Sequence, residues 1–300
     1  MKVLAIHYSQ SGQLTEIMNN ISEGLVHDEI SVEHVVYSPK EPFVFPWSKE
    51  RFFDAMPTCV LNQGCEIAPY QFQEEKYDLI LFGYQPWFLS PSIPTMGLLK
   101  DEKFKSILKN TPVVTVIGGR NMWINAQAEV KLKVEEAGGK IIGNIPFGDK
   151  SQNLLSAISI MHWMFTGKKT KKWGIIPLPG VSQQDIDESK VFGTLIARFL
   201  LGNSKVELQG ALLLTNKIDV KWSIIFIEAR AKKLFLFWAK LIEKKGVTPK
   251  KRKNWLYLYR IYLLFALFVV SPIVLTAYIL LFRPFLLKRE KEEKIEILSV

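Results

Sequence analysis

The stretch Tyr8-Ser9-Gln10-Ser11-Gly12-Gln13-Leu14-Thr15 joins a short apolar run, Lys2–Tyr8, to an amphipathic run, Leu14–Leu25. The change in the spacing of apolar residues predicts a β-strand that turns into an α-helix. At the start of a helix, unpaired backbone N–H groups and the helix dipole attract negative charge, so a phosphate monoester binds there without a basic side chain. The stretch therefore predicts a phosphate site, with a serine-glycine turn that only caps the helix as the alternative.

Four more short apolar runs follow this loop and alternate with amphipathic segments, a pattern typical of a parallel sheet with helices on both faces. We predict strands at Ser31–Tyr37, Asp78–Gly83, Pro112–Gly118 and Lys140–Ile145, and a helix at Ala126–Ala137. Five such units predict an α/β fold, a flavodoxin-like doubly wound five-stranded parallel sheet. In this fold a ligand binds outside the carboxyl ends of the strands.

The first loop lacks the GxGxxG spacing that admits the pyrophosphate of a dinucleotide, and it therefore favours FMN as the ligand. Its predicted cofactor-binding residues are Ser9, Ser11, Gly12, Gln13 and Leu14. The loops after the third and fourth predicted strands reach the same edge of the sheet and complete the predicted site. They contribute amide, aromatic and glycine residues and one cation, namely Gln85, Pro86, Trp87, Phe88, Gly118, Gly119, Arg120, Asn121 and Trp123.

Two polar residues are candidates for catalysis. Arg120, placed near the flavin edge, would stabilise a reduced, anionic flavin, or else it pairs with a surface carboxylate. His162 is a candidate base, because histidine side chains in general can exchange protons in catalysis, with a buried, hydrogen-bonded core histidine as the alternative. The basic cluster Lys168–Lys172 binds a cofactor phosphate, faces lipid headgroups or is simply solvated. Cys59 and Cys65 have no partners at metal-ligand spacing, so we predict reduced thiols and no metal site.

The segment Pro42–Tyr70 is long for a connection between a strand and a helix, and it is rich in proline and aromatic residues. These features predict an insertion that packs on the domain. The insertion either walls a substrate pocket or only seals a loop onto the sheet, and the sequence leaves both interpretations open.

The charge of the chain is concentrated in its C-terminal part. Residues 1–210 carry 21 Lys and Arg against 22 Asp and Glu, whereas residues 211–300 carry 18 against 7. Beyond residue 205 the strand-helix alternation ends, and apolar residues recur at helical spacing among lysines. This pattern favours a basic amphipathic helix on anionic lipid over a helix inside a globular core. The apolar positions are Ile224, Ile227, Leu234, Trp238, Leu241 and Ile242.

An uncharged run of 22 residues, Ile261–Phe282, lies between Arg260 and Arg283. Its length and the basic block Lys250–Lys253 upstream favour one hydrophobic membrane segment over a buried helix. Because basic residues are more numerous before the run than after it, we expect the preceding part of the chain on the cytoplasmic side. Pro272 leaves a kinked span and a re-entrant hairpin both open.

These patterns divide the chain into four parts. We predict an FMN-binding domain at 1–205, a basic amphipathic helical linker at 206–254, a transmembrane or re-entrant segment at 255–283 and a charged tail at 284–300. A nucleic-acid partner is not predicted, because the basic residues border an uncharged segment and lipid explains them better.

Five segments of the chain resemble the dialkylresorcinol condensing-enzyme or aromatase family, a branch of the flavodoxin-like NAD(P)H oxidoreductase superfamily. Together they run through most of residues 1–200 and extend far beyond a phosphate loop. The C-terminal region is similar to the family in hydropathy alone. The matching segments are Tyr8–Leu14 (YSQSGQL), Pro42–Trp47 (PFVFPW), Gly83–Pro94 (GYQPWFLSPSIP), Val113–Gln127 (VVTVIGGRNMWINAQ) and His162–Val181 (HWMFTGKKTKKWGIIPLPGV).

The resemblance implies an FMN-dependent aromatase that oxidises a dialkylcyclohexanedione to a dialkylresorcinol in the biosynthesis of aryl-polyene pigments of the flexirubin type. A partner ketosynthase would join two acyl chains into the dione, since this chain has no recognisable Cys and His arrangement for acyl transfer. The alkyl chains are a physical reason for anchoring the enzyme to membrane lipid at the cytoplasmic face of the bacterial inner membrane. NAD(P)H as a second cofactor and a homodimer are compatible with this family.

Two other redox functions fit the same fold, and both stay open at the level of sequence. One is a membrane-tethered NAD(P)H:quinone reductase, and the other is a one-electron flavodoxin-type carrier. The chain also departs from flavodoxins in one residue, because Leu14 stands where they place a threonine and Thr15 follows one position late. We expect different phosphate contacts as a result, with FMN binding retained through backbone donors.

Overall fold

The computed structural model of the chain describes residues 1–151, 153–171, 174, 176–204, 206–281 and 283–300. Parts of the sequence predictions that fall on Lys172, Trp173, Ile175, Lys205 and Phe282 therefore lie outside the described residues.

Five parallel strands form the central sheet, and a short antiparallel hairpin accompanies it. The sheet order is β2-β1-β3-β6-β7, which is the flavodoxin-like order and confirms the predicted fold class. Register is continuous across β1 and β2, from Lys2 opposite Ser31 to His7 opposite Val36. The strands are β1 Lys2–His7, β2 Ser31–Val36, β3 Leu79–Tyr84, the hairpin strands β4 Pro86–Trp87 and β5 Ser90–Pro91, β6 Pro112–Gly119 and β7 Lys140–Gly148.

Helices cover both faces of the sheet and continue beyond it. In the first two hundred residues they are α1 Gln13–Gly24, α2 Lys49–Val60, α3 Ile93–Lys100, α4 Glu102–Leu108, α5 Ile124–Glu136, α6 Asn153–Thr166, α7 Gln183–Asp187 and α8 Lys190–Leu200. In the remainder they are α9 Leu208–Leu213, α10 Trp222–Lys245, α11 Pro249–Phe265, a π-helical turn at Ala266–Val270, α12 Ser271–Leu281 and α13 Arg283–Leu298.

Alternating side chains of the central strands build two cores, one on each face of the sheet. Ile80 and Phe82 of β3 pack with Phe104 on the α4 side, whereas Leu79 and Leu81 lie in the core on the opposite face. All six residues of β3 are buried because helices cover both faces, as expected for the centre of a parallel sheet. The loops at the carboxyl ends of the strands are thereby held on a rigid support.

The packed body continues past residue 205, where the sequence predicted a linker. Leu208 and Leu212 of α9 are buried in one core of the sheet. Gln209 Oε1 accepts a hydrogen bond of 2.8 Å from the backbone N–H of Asn144 in β7. The first helix after residue 205 is therefore part of the α/β domain.

Helix α10 packs on the domain, in contrast to the lipid-facing interpretation of its sequence. Its buried residues include Ile224 and Ile242, which the sequence assigned to the apolar face, and α10 contacts α2 and α5. Lys232 Nζ donates a hydrogen bond of 2.6 Å to Ser90 Oγ at the β5 strand. Protein, not lipid, covers one side of this helix because α2 and α5 offer it a matching apolar surface.

Helices α11 and α12 with the π-helical turn form one helical segment of 33 residues, Pro249–Leu281. By length and composition this is the one segment among the described residues that is suited to cross a membrane, with a mean hydropathy of 2.5 in its most apolar window. The π-helical turn ends just before Pro272, whose ring nitrogen donates no hydrogen bond. Pro272 thus accounts for the irregularity, and the helix continues beyond it.

Candidate functional site

A cavity of about 440 Å³ lies at the carboxyl ends of β1, β3 and β6. Its size is that of a cofactor or substrate pocket. The three loops that the sequence predicted to meet all contribute to its wall, which places the pocket at the edge of the sheet that this topology uses for ligands. The contributing predicted residues are Ser11, Gln13, Leu14, Gln85, Pro86, Trp87, Phe88, Gly118, Gly119 and Arg120.

The first loop leaves the start of α1 open towards a ligand. Gly12 has a left-handed backbone with φ of 90°, a conformation that glycine adopts without strain. Ser9 Oγ accepts a hydrogen bond of 3.1 Å from the Gly12 N–H, so Ser9 braces the turn. Helix α1 has no side-chain cap among the described residues, and its first-turn N–H groups at Gln13 and Leu14 lie where an anion would bind.

A second residue of this loop, Gln10, ties three connections together. Its backbone N–H donates to Gln85 Oε1 at 3.0 Å, and its side-chain Nε2 donates to the carbonyl of Phe43 at 2.7 Å. Tyr8 donates its hydroxyl to Gln10 Oε1. The first loop, the third-strand loop and the insertion after β2 are therefore linked through the backbone and side chain of one residue, Gln10, which the sequence interpretation did not single out.

Gln13 closes one end of the cavity by pairing with a distant segment. Its Nε2 donates to the Val181 carbonyl at 2.9 Å, and its Oε1 accepts from the Val181 N–H at 3.2 Å. A Cβ on Gly180, where φ is 82°, would lie 2.3 Å from Gln13 Oε1. Only glycine fits there, so Gln13 acts through its side chain as a latch while its backbone N–H remains at the start of α1.

Aromatic side chains form one wall of the cavity. Trp87 of the third-strand loop lies with its ring centroid 5.3 Å from that of Trp47 and 5.2 Å from that of Phe43. Phe88 packs 4.9 Å from Phe52, measured between ring centroids. Trp47 and Phe52 also line the cavity, so the insertion after β2 walls the pocket, one of the two interpretations that the sequence left open.

Two glycines of the fourth-strand loop allow the three loops to approach closely. A Cβ on Gly118 would lie 3.2 Å from Leu14 Cδ1, and one on Gly119 would lie 3.0 Å from Pro86 Cδ. Larger residues at these positions would push the first and third loops away from the fourth.

Arg120 lines the cavity and is held by a buried polar network. Its Nε donates to Ser156 Oγ at 3.4 Å, and Ser156 donates to Asp149 Oδ2 at 2.7 Å. Burial lowers the pKa of Arg120 to about 10, and Asp149 opposes this shift. The guanidinium therefore stays positively charged at neutral pH, and the carboxylate behind it is buried and not at the surface as one sequence interpretation supposed.

Four of the predicted residues do not line the described cavity wall. Ser9 and Gly12 shape the first turn, and Asn121 lies beside Gly148 at the end of β7. Trp123 is 3% exposed and packs in the core next to α5, away from the cavity wall. The Trp123 ring packs with apolar core residues although the loop that carries it lies at the ligand-binding edge of the sheet.

His162 is also absent from the described cavity wall, whereas its neighbours Met161 and Trp163 contribute to it. Cavity-lining positions on α6 recur at helical spacing, from Ala157 through Ile160 to Met164, and His162 falls off that face. His162 is partly buried, so it is not the fully buried core histidine of the alternative interpretation, and its place off the cavity-lining face lends no support to a role as the base. The described part of the adjacent basic cluster, residues 168–171, is exposed.

His7 is a buried polar residue that the sequence interpretation missed. Its Nε2 is hydrogen-bonded to Thr15 Oγ1 at 2.9 Å, and burial, followed by His34, lowers the pKa of His7 to about 4. The ring is therefore neutral at physiological pH. Because Thr15 uses its hydroxyl in this contact, the late threonine supports the first turn from inside.

The C-terminal helices line the opposite side of the same cavity. Their contribution is apolar and aromatic apart from Arg230 and Ser271, and it comes from both α10 and the long segment Pro249–Leu281. The sequence interpretation treated these helices as separate from the site. The residues include Ile227, Ala231, Leu234, Phe235, Trp238, Tyr262, Leu263, Leu267, Val270 and Val274.

Within the described ranges, no group of three or more His, Cys, Asp and Glu side chains is placed to hold a metal ion. Cys59 is buried, and its thiol donates to the Trp87 carbonyl at 3.2 Å. Burial raises the pKa of this thiol well above its usual range. Cys59 therefore packs as a neutral group behind the aromatic wall.

No family model matches the chain, and no curated protein matches it. Among solved structures, the chain is similar to a flavoprotein in complex with FMN from Lactobacillus acidophilus NCFM, at 19% identity over 48% of this chain and 92% of that chain, with a TM-score of 0.39. It is similar to a flavodoxin from the domain Archaea at 15% identity over 67% of this chain and 99% of that chain, with a TM-score of 0.35. At these values the likeness concerns the fold and assigns no activity, so the narrower resemblance to the dialkylresorcinol family stays a prediction.

Proposed function

We propose that this chain is an FMN-dependent oxidoreductase that acts on a lipophilic ring compound at the cytoplasmic face of the bacterial inner membrane. The observation that carries the proposal is one cavity whose wall combines the open start of α1, the Trp87 loop and Arg120 with the apolar C-terminal helices. Such a wall offers separate surfaces for a phosphate, a flat aromatic ring and a hydrocarbon substrate.

The residues of the cavity fit FMN in three respects. The uncapped first turn of α1 and Ser11 suit a phosphate monoester. Trp87 and the amide of Gln85 suit the face and edge of a flavin ring. Arg120 supplies a positive charge that the buried Asp149 holds in place. FMN, when bound, supplies a two-electron acceptor for a hydride.

We propose the aromatisation of a dialkylcyclohexanedione to a dialkylresorcinol as the reaction, on the basis of the family resemblance. The ring loses one hydride and one proton. The described cavity wall holds no carboxylate and no imidazole, but it holds Arg120 and Arg230. A cyclic 1,3-dione is acidic enough to release its proton to water, and two guanidinium groups would stabilise the enolate that remains. A separate protein base is then unnecessary.

The substrate would come from a condensation reaction that joins two acyl chains, which is the role of a partner ketosynthase. The product would be a building block of aryl-polyene pigments of the flexirubin type. A membrane-attached enzyme suits this chemistry because both substrate and product carry alkyl chains that partition into lipid.

A quinone reductase that takes its electrons from NAD(P)H would use the same cavity. The identity of the substrate therefore distinguishes the aromatase from the quinone reductase. A one-electron carrier is less compatible with the site, because the C-terminal helices line the cavity opposite the three loops and leave less of a bound flavin exposed to a protein partner. Carriers exchange electrons through an accessible cofactor edge.

The test is an anaerobic reaction with the full chain purified in detergent and loaded with FMN. Mixing with a dialkylcyclohexanedione should bleach the flavin absorbance band and yield the dialkylresorcinol in equal amount. An unbleached band with the dione, together with rapid bleaching by NAD(P)H and reoxidation by a quinone, would replace the aromatase with the quinone reductase. The same chain without FMN is the control.

A further inference from the structure

The two ends of the apolar segment Pro249–Leu281 are attached to one and the same folded body. At its start, Arg252 Nε lies 2.6 Å from Asp54 Oδ1 of α2, and Arg252 Nη1 lies 3.0 Å from Glu243 Oε1 of α10. Near its end, the Tyr278 ring stacks on Trp222, with centroids 4.3 Å apart and planes 16° apart. The segment therefore runs antiparallel to α10 along the domain.

The chain beyond this segment also returns to the domain. Lys294 Nζ of α13 lies 2.5 Å from Asp219 Oδ1, in the connection before α10. The Leu298 carbonyl accepts a hydrogen bond of 2.6 Å from Gln209 Nε2 of α9. Residues 294–298 thus lie on the same side as the α/β domain.

These contacts conflict with a segment that crosses a bilayer. A helix of this length extends over about 50 Å, so its two ends would emerge on opposite sides of a hydrocarbon core of about 30 Å. Helix α10, which lies alongside, would enter the hydrocarbon with its exposed lysines at 233, 240, 244 and 245. Burying unpaired charges in hydrocarbon is costly.

The segment nevertheless presents an apolar face to its surroundings. Only 6% of its most apolar window is buried. Ile261, Phe265, Phe268, Val269 and Ile273 are between 37% and 64% exposed, and their spacing places them on one side of the helix. Apolar surface of this extent on a folded protein marks an interaction site.

Basic side chains flank this face at both ends. Lys250, Lys251 and Lys253 are exposed at its start, and Lys288 and Arg289 are exposed just after its end. Cations beside an apolar helical face match the anionic headgroups above the hydrocarbon of a bilayer. The charge pattern therefore favours an anionic lipid surface over a second protein as the occupant.

We infer that Pro249–Leu281 lies in the plane of an anionic membrane surface without crossing it, and that its inner face closes the cavity. Outward residues such as Phe265 and Ile273 contact lipid, while Tyr262, Leu267 and Val274 line the cavity. A lipophilic substrate then reaches the cavity from the leaflet, between α10 and this segment. The inference rests on the proposed membrane attachment, and it replaces both topologies that Pro272 left open, the kinked span and the re-entrant hairpin, with a helix in the plane of the surface.

The topology is tested with single-cysteine reporters in the full chain, in a Cys65→Ser background that retains the buried Cys59. Lys253→Cys lies near the start of the segment, in its basic first turns, and Ser299→Cys follows the segment. A membrane-impermeant maleimide should label both reporters in inverted inner-membrane vesicles and neither reporter in intact spheroplasts. Labelling of Ser299→Cys from the outside of spheroplasts would show a crossing and overturn the inference, and so would recovery of all the protein in the soluble fraction.

The lipid-facing side is tested by charge substitution. The double variant Phe265→Glu and Ile273→Glu should bind vesicles of anionic phospholipid at least about tenfold more weakly than the unchanged chain. Val26→Glu, at an 80% exposed site next to α1, is the matched control and should bind as the unchanged chain does. Equal binding of all three proteins would overturn the inference. Neither assay depends on flavin. A protein that binds no flavin but shows both reporters on the same side of the membrane would therefore contradict the proposed function and leave the topology inference standing.

Discussion

Glu228 Oε1 of α10 accepts a hydrogen bond of 2.8 Å from the backbone N–H of Asn125, in the first turn of α5. The same oxygen accepts from Asn125 Nδ2 at 3.0 Å. The contact joins the C-terminal helices to the α/β domain across 103 residues of sequence, and Glu228 is 1% exposed. It fixes α10, and with it the apolar side of the cavity, against the helix that follows the Arg120 loop.

Glu228 should make the stability of the protein depend on pH. Burial raises the pKa of its carboxyl to about 7 in the folded state, against 4.5 as its ordinary value, although the bonds from Asn125 oppose the shift. The folded state then holds the proton more tightly than the unfolded state, so stability is lost as pH rises from 4.5 to 7. The loss amounts to at most about 3 kcal/mol.

Glu228→Gln keeps an oxygen acceptor for Asn125 and removes the titration. We expect this variant to exceed the unchanged chain in thermal midpoint above pH 7 and to match it near pH 5. Thermal unfolding in detergent across this range measures the difference. A variant that is less stable at every pH would show that the ionised carboxylate itself stabilises the helix contact.

His7 should have an effect of opposite sign in an overlapping range. Because burial lowers its pKa from 6.5 to about 4, the unfolded chain takes up a proton before the folded chain does, and stability is lost as pH falls through this interval. His7→Asn, which keeps an amide near Thr15, should unfold less readily than the unchanged chain when the pH is lowered from 6.5 to 4.5. Identical acid unfolding curves for His7→Asn and the unchanged chain would show that His7 does not cause the loss of stability at low pH.

Arg120 should tune the bound cofactor. Arg120→Gln removes the charge, and we expect a lower two-electron midpoint potential, by about 30 mV for each tenfold loss of preference for the reduced form. Arg120→Lys keeps the charge and should restore most of the potential. A spectroelectrochemical titration measures both, and equal potentials in all three proteins would place Arg120 away from the flavin.

Gly119 should be intolerant of a side chain for a steric reason. A Cβ would lie 3.0 Å from Pro86 Cδ, so Gly119→Val forces the third and fourth loops apart. We expect FMN affinity to fall at least about tenfold, since a shift of the loops weakens several contacts at once. Ala128→Val on the exposed side of α5 is the control and should leave affinity unchanged. Fluorescence titration with FMN gives both affinities.

Much of the fold follows from local sequence patterns, and this explains why the five-stranded parallel sheet was predicted correctly. The runs around Leu4 and Phe82 are short and apolar because strands of a parallel sheet are buried on both faces. The turn at Gly12 is also a local feature, because the strand before it and the helix after it are both predicted from adjacent residues. The loops after β1, β3 and β6 then lie close together because the carboxyl ends of these parallel strands share one edge of the sheet.

What the sequence did not predict depends on contacts between distant residues. The latch between Gln13 and Val181 spans 168 residues, and the contact between Gln10 and Gln85 spans 75. Trp123 resembled a cofactor ligand in sequence but packs in the core. The lysines of α10 suggested lipid, whereas Glu228 and Lys232 bind the domain. The number of lysines in α10 does not indicate which side of the helix packs against the rest of the protein, because that depends on the surfaces of α2 and α5.

We propose that three loops and the C-terminal helices enclose one FMN site, and stoichiometric titration of the full chain with FMN in detergent tests this most directly. We predict that one FMN binds per chain and that its fluorescence is quenched on binding. Binding should also quench tryptophan fluorescence, and this quenching should be smaller in the Trp87→Leu variant. A chain that is folded by circular dichroism, takes up no FMN and stays colourless would contradict the account.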